Sequence, residues 1–207
     1  MLVVKRARKT LEKIRPSIED MIALRSYMES WNNSIDKLSI KLNGTEFSAP
    51  HKVITNAILQ SLLLGVCRVW DRGRDTFSFR NLERLIGSGD VADTIRGDRY
   101  EGARLSGILE FSELVNGYKD SDECRAMFVS RAEGFAHLVE VSRERQRMIT
   151  PRLVNHGELY RAVDLSIECY NKADLVLNSN TVAYEFLIED FDRLFRRVID
   201  DIPKYTG

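Results

Sequence analysis

Residues 17–42, SIEDMIALRSYMESWNNSIDKLSIKL, decide the fold. Their apolar positions, Ile18, Met21, Ile22, Leu24, Tyr27, Met28, Trp31, Ile35 and Leu38, recur three and four apart, as on one face of an α-helix. The same spacing reaches back through Ile14 and Leu11. Pro16 is expected to kink this region or to open a new helix, because proline is tolerated in a first turn. No window shows convincing two-residue alternation, and β-branched clusters are short.

Working outward, LNGTEFSAP at 42–50 is turn chemistry, with Asn43-Gly44 able to supply positive φ and Ser48 offering an N-cap before Pro50. An apolar helix is predicted from about 50 to 71, ended by Gly73. Thr76 or Ser78 then caps a short helix to about Ile86. GSGD at 87–90 reads as a loop followed by a polar segment at 90–97. Helical patterns resume over about 100–117, 120–137, 155–178 and 181–200, the last capped by Asn180 or Thr181. The expected fold is an all-α bundle of about seven or eight helices in one domain spanning 1–207. Residues 1–45 form either a helical arm or an additional bundle member.

A chain of 207 residues with 43% hydrophobic content can bury a sizeable core without disulfides or metals. Cys67, Cys124 and Cys169 are widely spaced and form no CxxC pair, which points to buried thiols in a reducing compartment. His51, His137 and His156 have no partners at metal-ligand spacing. Neither a cofactor nor a metal is expected. The longest apolar run, AILQSLLLGV at 57–66, is too short to cross a bilayer, and a cytoplasmic location with no membrane partner follows as the expectation.

The 31 Lys+Arg and 31 Asp+Glu cancel, so net charge alone predicts no polyanionic partner. Their distribution carries more information. KRARK at 5–9 is basic, RVWDRGR at 68–74 sets three Arg against Asp71, and SRERQRMITPR at 142–152 holds four Arg against one Glu. Each reads as a solvated surface, able to bind phosphates if folding gathers it on one face. Trp31, Trp70, Phe77 and Phe79 could stack on bases, but at helical spacing among Ile and Leu they read as core. His51 and His156 read as surface or capping residues.

VSRAEGFAHLVE at 129–140 brings together residues suited to RNA cleavage. His137 titrates near neutrality and can move a proton from a ribose 2′-hydroxyl or to a departing 5′-oxygen. Arg131 keeps its charge and offers forked donors to a phosphate. On a straight helix, six residues turn by about 600°, leaving the two side chains roughly 120° apart and about 9 Å apart along the axis. A bend at Gly134, or a second copy across a twofold axis, would be needed to converge them. On spacing alone, an exposed arginine near a core histidine is the simpler account.

The surrounding residues shift that balance. RAEGFAHL resembles the signature of the HEPN superfamily, an Arg followed after four to six residues by a His. CRVWDRGRDTFSFRNLERLIG at 67–87 looks like the Asp-containing helix end and Ser-capped short helix of the AbiU-type, abortive-infection branch. The order of helices is similar over most of residues 20–200. The resemblance implies a homodimeric helical bundle acting as a metal-independent ribonuclease in toxin–antitoxin systems or phage defence. It would pair two Arg131–His137 motifs in one cleft, with RNA as substrate and an antitoxin or other protein as a further partner. By position, Arg131 would stabilise phosphate and His137 transfer protons, with Asp71 and Glu133 in support.

Arg143, Arg145 and Arg147 would contact the RNA backbone, on charge alone. The sequence departs from the pattern at Ala132, where active members often carry a polar residue, and at Val139, where one subgroup carries a modified Tyr. A catalytically silent HEPN module, binding RNA or a protein, is therefore the second expectation. The zero net charge leaves room for a helical interaction protein with no nucleic-acid role.

Overall fold

The computed structural model describes residues 2–42, 48–136 and 154–180, together with Glu189, Arg193 and Arg197. Among them lie seven α-helices and no strand: α1 (Leu2–Leu42), α2 (Ser48–Val69), α3 (Phe79–Ile86), α4 (Gly89–Ile95), α5 (Glu101–Lys119), α6 (Asp122–Ala136) and α7 (His156–Asn178). Of the helix expected over 181–200, only Glu189, Arg193 and Arg197 are described, and all three are helical and exposed.

The apolar stripe of α1 becomes its buried face. Val4, Ala7, Leu11, Ile14, Ile18 and Met21 alternate steps of three and four residues, and all belong to the core. That narrow seam lets one helix of 41 residues, about 60 Å long at 1.5 Å per residue, run against several partners. Pro16 neither breaks the helix nor starts a new one. It sits on the exposed face, and the carbonyl that its missing N–H would have bonded belongs to exposed Glu12. Water can therefore take the place of the lost bond.

Both α2 and α7 run antiparallel to α1. Arg68 reaches back to Ser17, and Gly65 lies so close to Met21 that an added Cβ would stand 2.8 Å from the Met21 side chain. Along α7, Arg25, Arg15 and Arg8 of α1 meet Asp164, the Tyr170 hydroxyl and the Leu177 carbonyl in turn. Trp70 occupies the centre. Fully buried, it meets Phe79 and Tyr118 edge-on at centroid distances of 5.2 and 4.7 Å, and its indole N–H donates to Ser166 at 2.8 Å. These contacts join α2, α3, α5 and α7 at one residue.

Helix ends are closed by residues remote in sequence. No basic residue lies in the last turn of α7. Instead the Arg104 guanidinium donates twice to the Val176 carbonyl, at 2.9 and 2.7 Å, and Arg8 donates twice to Leu177, at 3.2 and 3.0 Å. Two positive charges thereby meet the negative end of the helix and satisfy carbonyls that lack intrahelical partners. Arg80 does the same for Lys119 at the end of α5. At the start of α7 the cap is Asn155, whose side chain accepts from the Glu158 N–H at 2.9 Å while Glu158 accepts from the Asn155 N–H at 3.0 Å. His156 is the exposed first residue of the helix, not the cap.

Two further expectations are corrected. The loop and polar segment expected over 87–97 contain α4, because Val91 and Ile95, one turn apart, are both buried against the core. Phe77, expected in the core with the other aromatics, is 44% exposed. Trp70 and Phe79 are wholly buried, and Trp31 is half-buried beside Tyr27.

Candidate functional site

The C-terminal half of α6 carries Arg131. The helix starts where the Ser121 hydroxyl accepts the Cys124 N–H at 3.0 Å, with Asp122 and Glu123 at its positive end. Cys124 and Met127, three residues apart, are buried, and the Cys67 thiol of α2 donates to the Met127 carbonyl at 3.5 Å. Arg131 follows Met127 by four residues and continues the same stripe. It is nevertheless exposed, as is Ala132, and it forms no ion pair with a described residue. An arginine on the buried stripe of its helix, but itself in solvent, meets no competing carboxylate among the described residues and can receive an external anion.

Electrostatics link this arginine to the end of α2. Burial pushes the Cys67 thiol up to about 12, partly opposed by the positive charge of Arg131, with Cys124 and Asp71 acting in the same direction as burial. Arg131 and Asp71 thus both lie within electrostatic reach of one thiol. Asp71 has a local task as well. Its Oδ1 accepts the Gly73 N–H at 2.8 Å, opening a turn that Thr76 and Asn81 close by donating to the Gly73 carbonyl at 2.8 and 2.9 Å. Next to it, the Arg72 guanidinium lies 5.5 Å from the centre of the Phe128 ring of α6. Burial also raises the Cys124 and Cys169 thiols. All three cysteines are free, buried and protonated at neutral pH, so none is a ready nucleophile.

Helix α6 is described as far as Ala136, and the chain is described again at Val154, whose N–H donates to the Ser130 hydroxyl at 2.8 Å. The residue before Arg131 is therefore stitched to the residue before the α7 cap. His137, Arg143, Arg145 and Arg147 lie outside the described residues, as does the side chain of Glu133. Of the residues singled out from sequence, Arg131 and Asp71 both act electrostatically on the Cys67 thiol. Arg72 and Ser130 were not singled out, and only their tertiary contacts reveal them. Among the described residues, no three of His, Cys, Asp and Glu gather as a metal site requires.

A protein-family model described as AbiU2, of the HEPN type, matches residues 7–198. The chain belongs to the AbiU2 HEPN family. It is thus a HEPN-type module related to abortive infection, and the match spans α6 together with the Arg131–His137 stretch. Comparison with curated proteins and with solved structures gave no match. In this AbiU2 chain no described helix is long and apolar enough to cross a membrane.

Proposed function

We propose that this AbiU2-family protein is a metal-independent endoribonuclease of phage defence, acting as a toxin whose site forms between two copies of the chain. The observation that carries the proposal is Arg131, exposed on α6 and unpaired among the described residues, six positions before His137 in a HEPN family member. In the reaction, His137 takes the proton of a ribose 2′-hydroxyl as its oxygen attacks the adjacent phosphorus. The P–O5′ bond breaks, a 2′,3′-cyclic phosphate remains, and the departing 5′-oxygen receives a proton from the partner subunit's His137. Arg131 holds the non-bridging oxygens as their charge grows in the transition state. Arg143, Arg145 and Arg147 guide the RNA backbone, and an antitoxin protein restrains the site.

Incubating purified protein with RNA in EDTA tests this directly. Wild type is expected to cleave and leave 2′,3′-cyclic ends. His137→Ala and Arg131→Ala should each lower the rate by about 100-fold or more, the usual scale for removing a proton-transfer group or a transition-state donor. Equal rates in wild type and His137→Ala would refute the assignment.

Ala132 favours a second reading. This small apolar side chain is exposed directly after the motif arginine, where a polar group would be expected to assist phosphate binding. RNA binding without cleavage by the wild type would establish a catalytically silent module.

A further inference from the structure

Two basic stretches lying more than sixty residues apart in sequence line one groove at the start of α1. Its volume is about 670 Å³, within the range of ligand clefts. One wall is α1, with Lys5, Arg6 and Lys9. The other is the α2–α3 connection and α3, with Arg74, Phe77 and Arg84. Among the described lining residues Asp75 is the one carboxylate, against five cations. None of these five cations has an ion pair with a described residue, and the first turn of α1 contains no acidic residue to offset them. Arg8 differs from its neighbours because its guanidinium is committed to the Leu177 carbonyl. The groove therefore concentrates uncompensated positive charge in a chain whose net charge is zero.

Phe77 selects among anions. It is 44% exposed at the rim, although Phe79, two residues on, is fully buried. An exposed aromatic among cations offers a ring face to a flat ligand, at the cost of leaving apolar surface in water. Single-stranded nucleic acid supplies both complements, phosphates for the cations and an unstacked base for the ring. An acidic peptide supplies only charge, and a duplex keeps its bases stacked. The turn carrying Arg74 and Phe77 is held by Thr76 and Asn81, both bonded to the Gly73 carbonyl, so one wall is built in advance. No described α6 side chain lines the groove, which separates it from the Arg131 site.

We propose that this groove binds a single-stranded nucleic acid, with phosphates on Lys5, Arg6, Lys9, Arg74 and Arg84 and a base against Phe77. The site stands independently of the cleavage reaction at Arg131 and His137.

Fluorescence anisotropy of the full chain with labelled 2′-O-methyl oligouridylate, which cannot undergo 2′-hydroxyl attack, reads binding without cleavage. Lys5→Ala/Lys9→Ala should weaken binding and reduce the slope of log K against log salt by about 1.4, since each phosphate contact to a single strand contributes about 0.7. Phe77→Ala should weaken binding about tenfold with the slope unchanged, as loss of a stacking platform does. Both variants alter exposed side chains, and matching thermal unfolding to wild type verifies the fold. Parallel titrations with the deoxy oligonucleotide distinguish RNA from DNA as the source. Loss of binding by either strand in these variants supports the groove.

Unchanged affinity and salt slope in Lys5→Ala/Lys9→Ala would overturn it. Tighter binding of polyglutamate than of either oligonucleotide would also overturn it, in favour of an acidic protein. His137→Ala separates the two assignments. It should abolish cleavage while retaining binding at the groove, whereas cleavage by that variant combined with loss of binding in the groove variants would remove the Arg–His assignment and keep the groove.

Discussion

Ser166→Ala tests whether Trp70 is the joint that holds the end of α2 against α7. Both residues are fully buried, and the Trp70 indole N–H donates to the Ser166 oxygen at 2.8 Å. That oxygen in turn donates its own proton to the Ala162 carbonyl at 2.6 Å. Removing the hydroxyl leaves the indole N–H without its acceptor in the core, whereas the Ala162 carbonyl keeps its place in the backbone ladder of α7. A buried donor stranded in this way costs about 1–3 kcal/mol. In a Trp70→Phe background the donor is absent, so the same Ser166→Ala change should cost about 0.5 kcal/mol or less. The expected coupling is therefore about 0.5–2.5 kcal/mol, within the range for residues sharing one hydrogen bond.

Urea unfolding followed by far-ultraviolet circular dichroism measures all four proteins of the cycle. Fluorescence is the poorer probe, because Trp70→Phe leaves Trp31 as the remaining tryptophan. If Ser166→Ala costs the same in both backgrounds, within about 0.5 kcal/mol, the bond does not couple the two helices and the reasoning fails.

The buried thiols predict alkaline sensitivity. Burial raises the Cys67 pKa from 9.0 to about 12, so the stability linked to the neutral thiol is fully present below pH 9 and is lost as pH rises through that window, because the unfolded chain sheds the proton first. Denaturant midpoints should fall between pH 9 and 11, and less steeply in Cys67→Ala. Arg104→Met should destabilise the fold by about 1.5–3 kcal/mol, by removing a charged donor from the Val176 carbonyl. The Asp98 carboxyl, held low by the Tyr100 N–H and by Arg104, should move back toward the ordinary carboxylate range, as read by NMR titration. Asp71→Asn should preserve stability, since an amide oxygen can still accept the Gly73 N–H, whereas Asp71→Ala should cost about 1 kcal/mol in urea unfolding. Equal losses in the two Asp71 variants would mean that the negative charge, not the turn, is what matters there.

The sequence by itself determined the long helices and the family. A seam repeating every three and four residues cannot bury its apolar side in any other regular structure, so α1 was legible from Leu11 to Leu38 without its partners. The long helices α2, α5, α6 and α7 were legible for the same reason. Helix α4 was not, because Val91 and Ile95 are two apolar residues in a polar segment and acquire meaning only from the core that covers them. Pro16 does not open a new helix, because its cost depends on whether the freed carbonyl meets water, which is a question of which face points outward.

At the candidate site, Arg131 and Asp71 could be picked out through the resemblance to HEPN proteins, but their shared reach toward Cys67 is a product of packing α6 on α2. Tertiary structure alone decided that Arg8 and Arg104 close α7, and that Lys5, Arg6, Lys9, Arg74 and Arg84 face one groove. Charge is a local property of the chain, whereas the field it produces depends on which charges folding brings within a Debye length of one another.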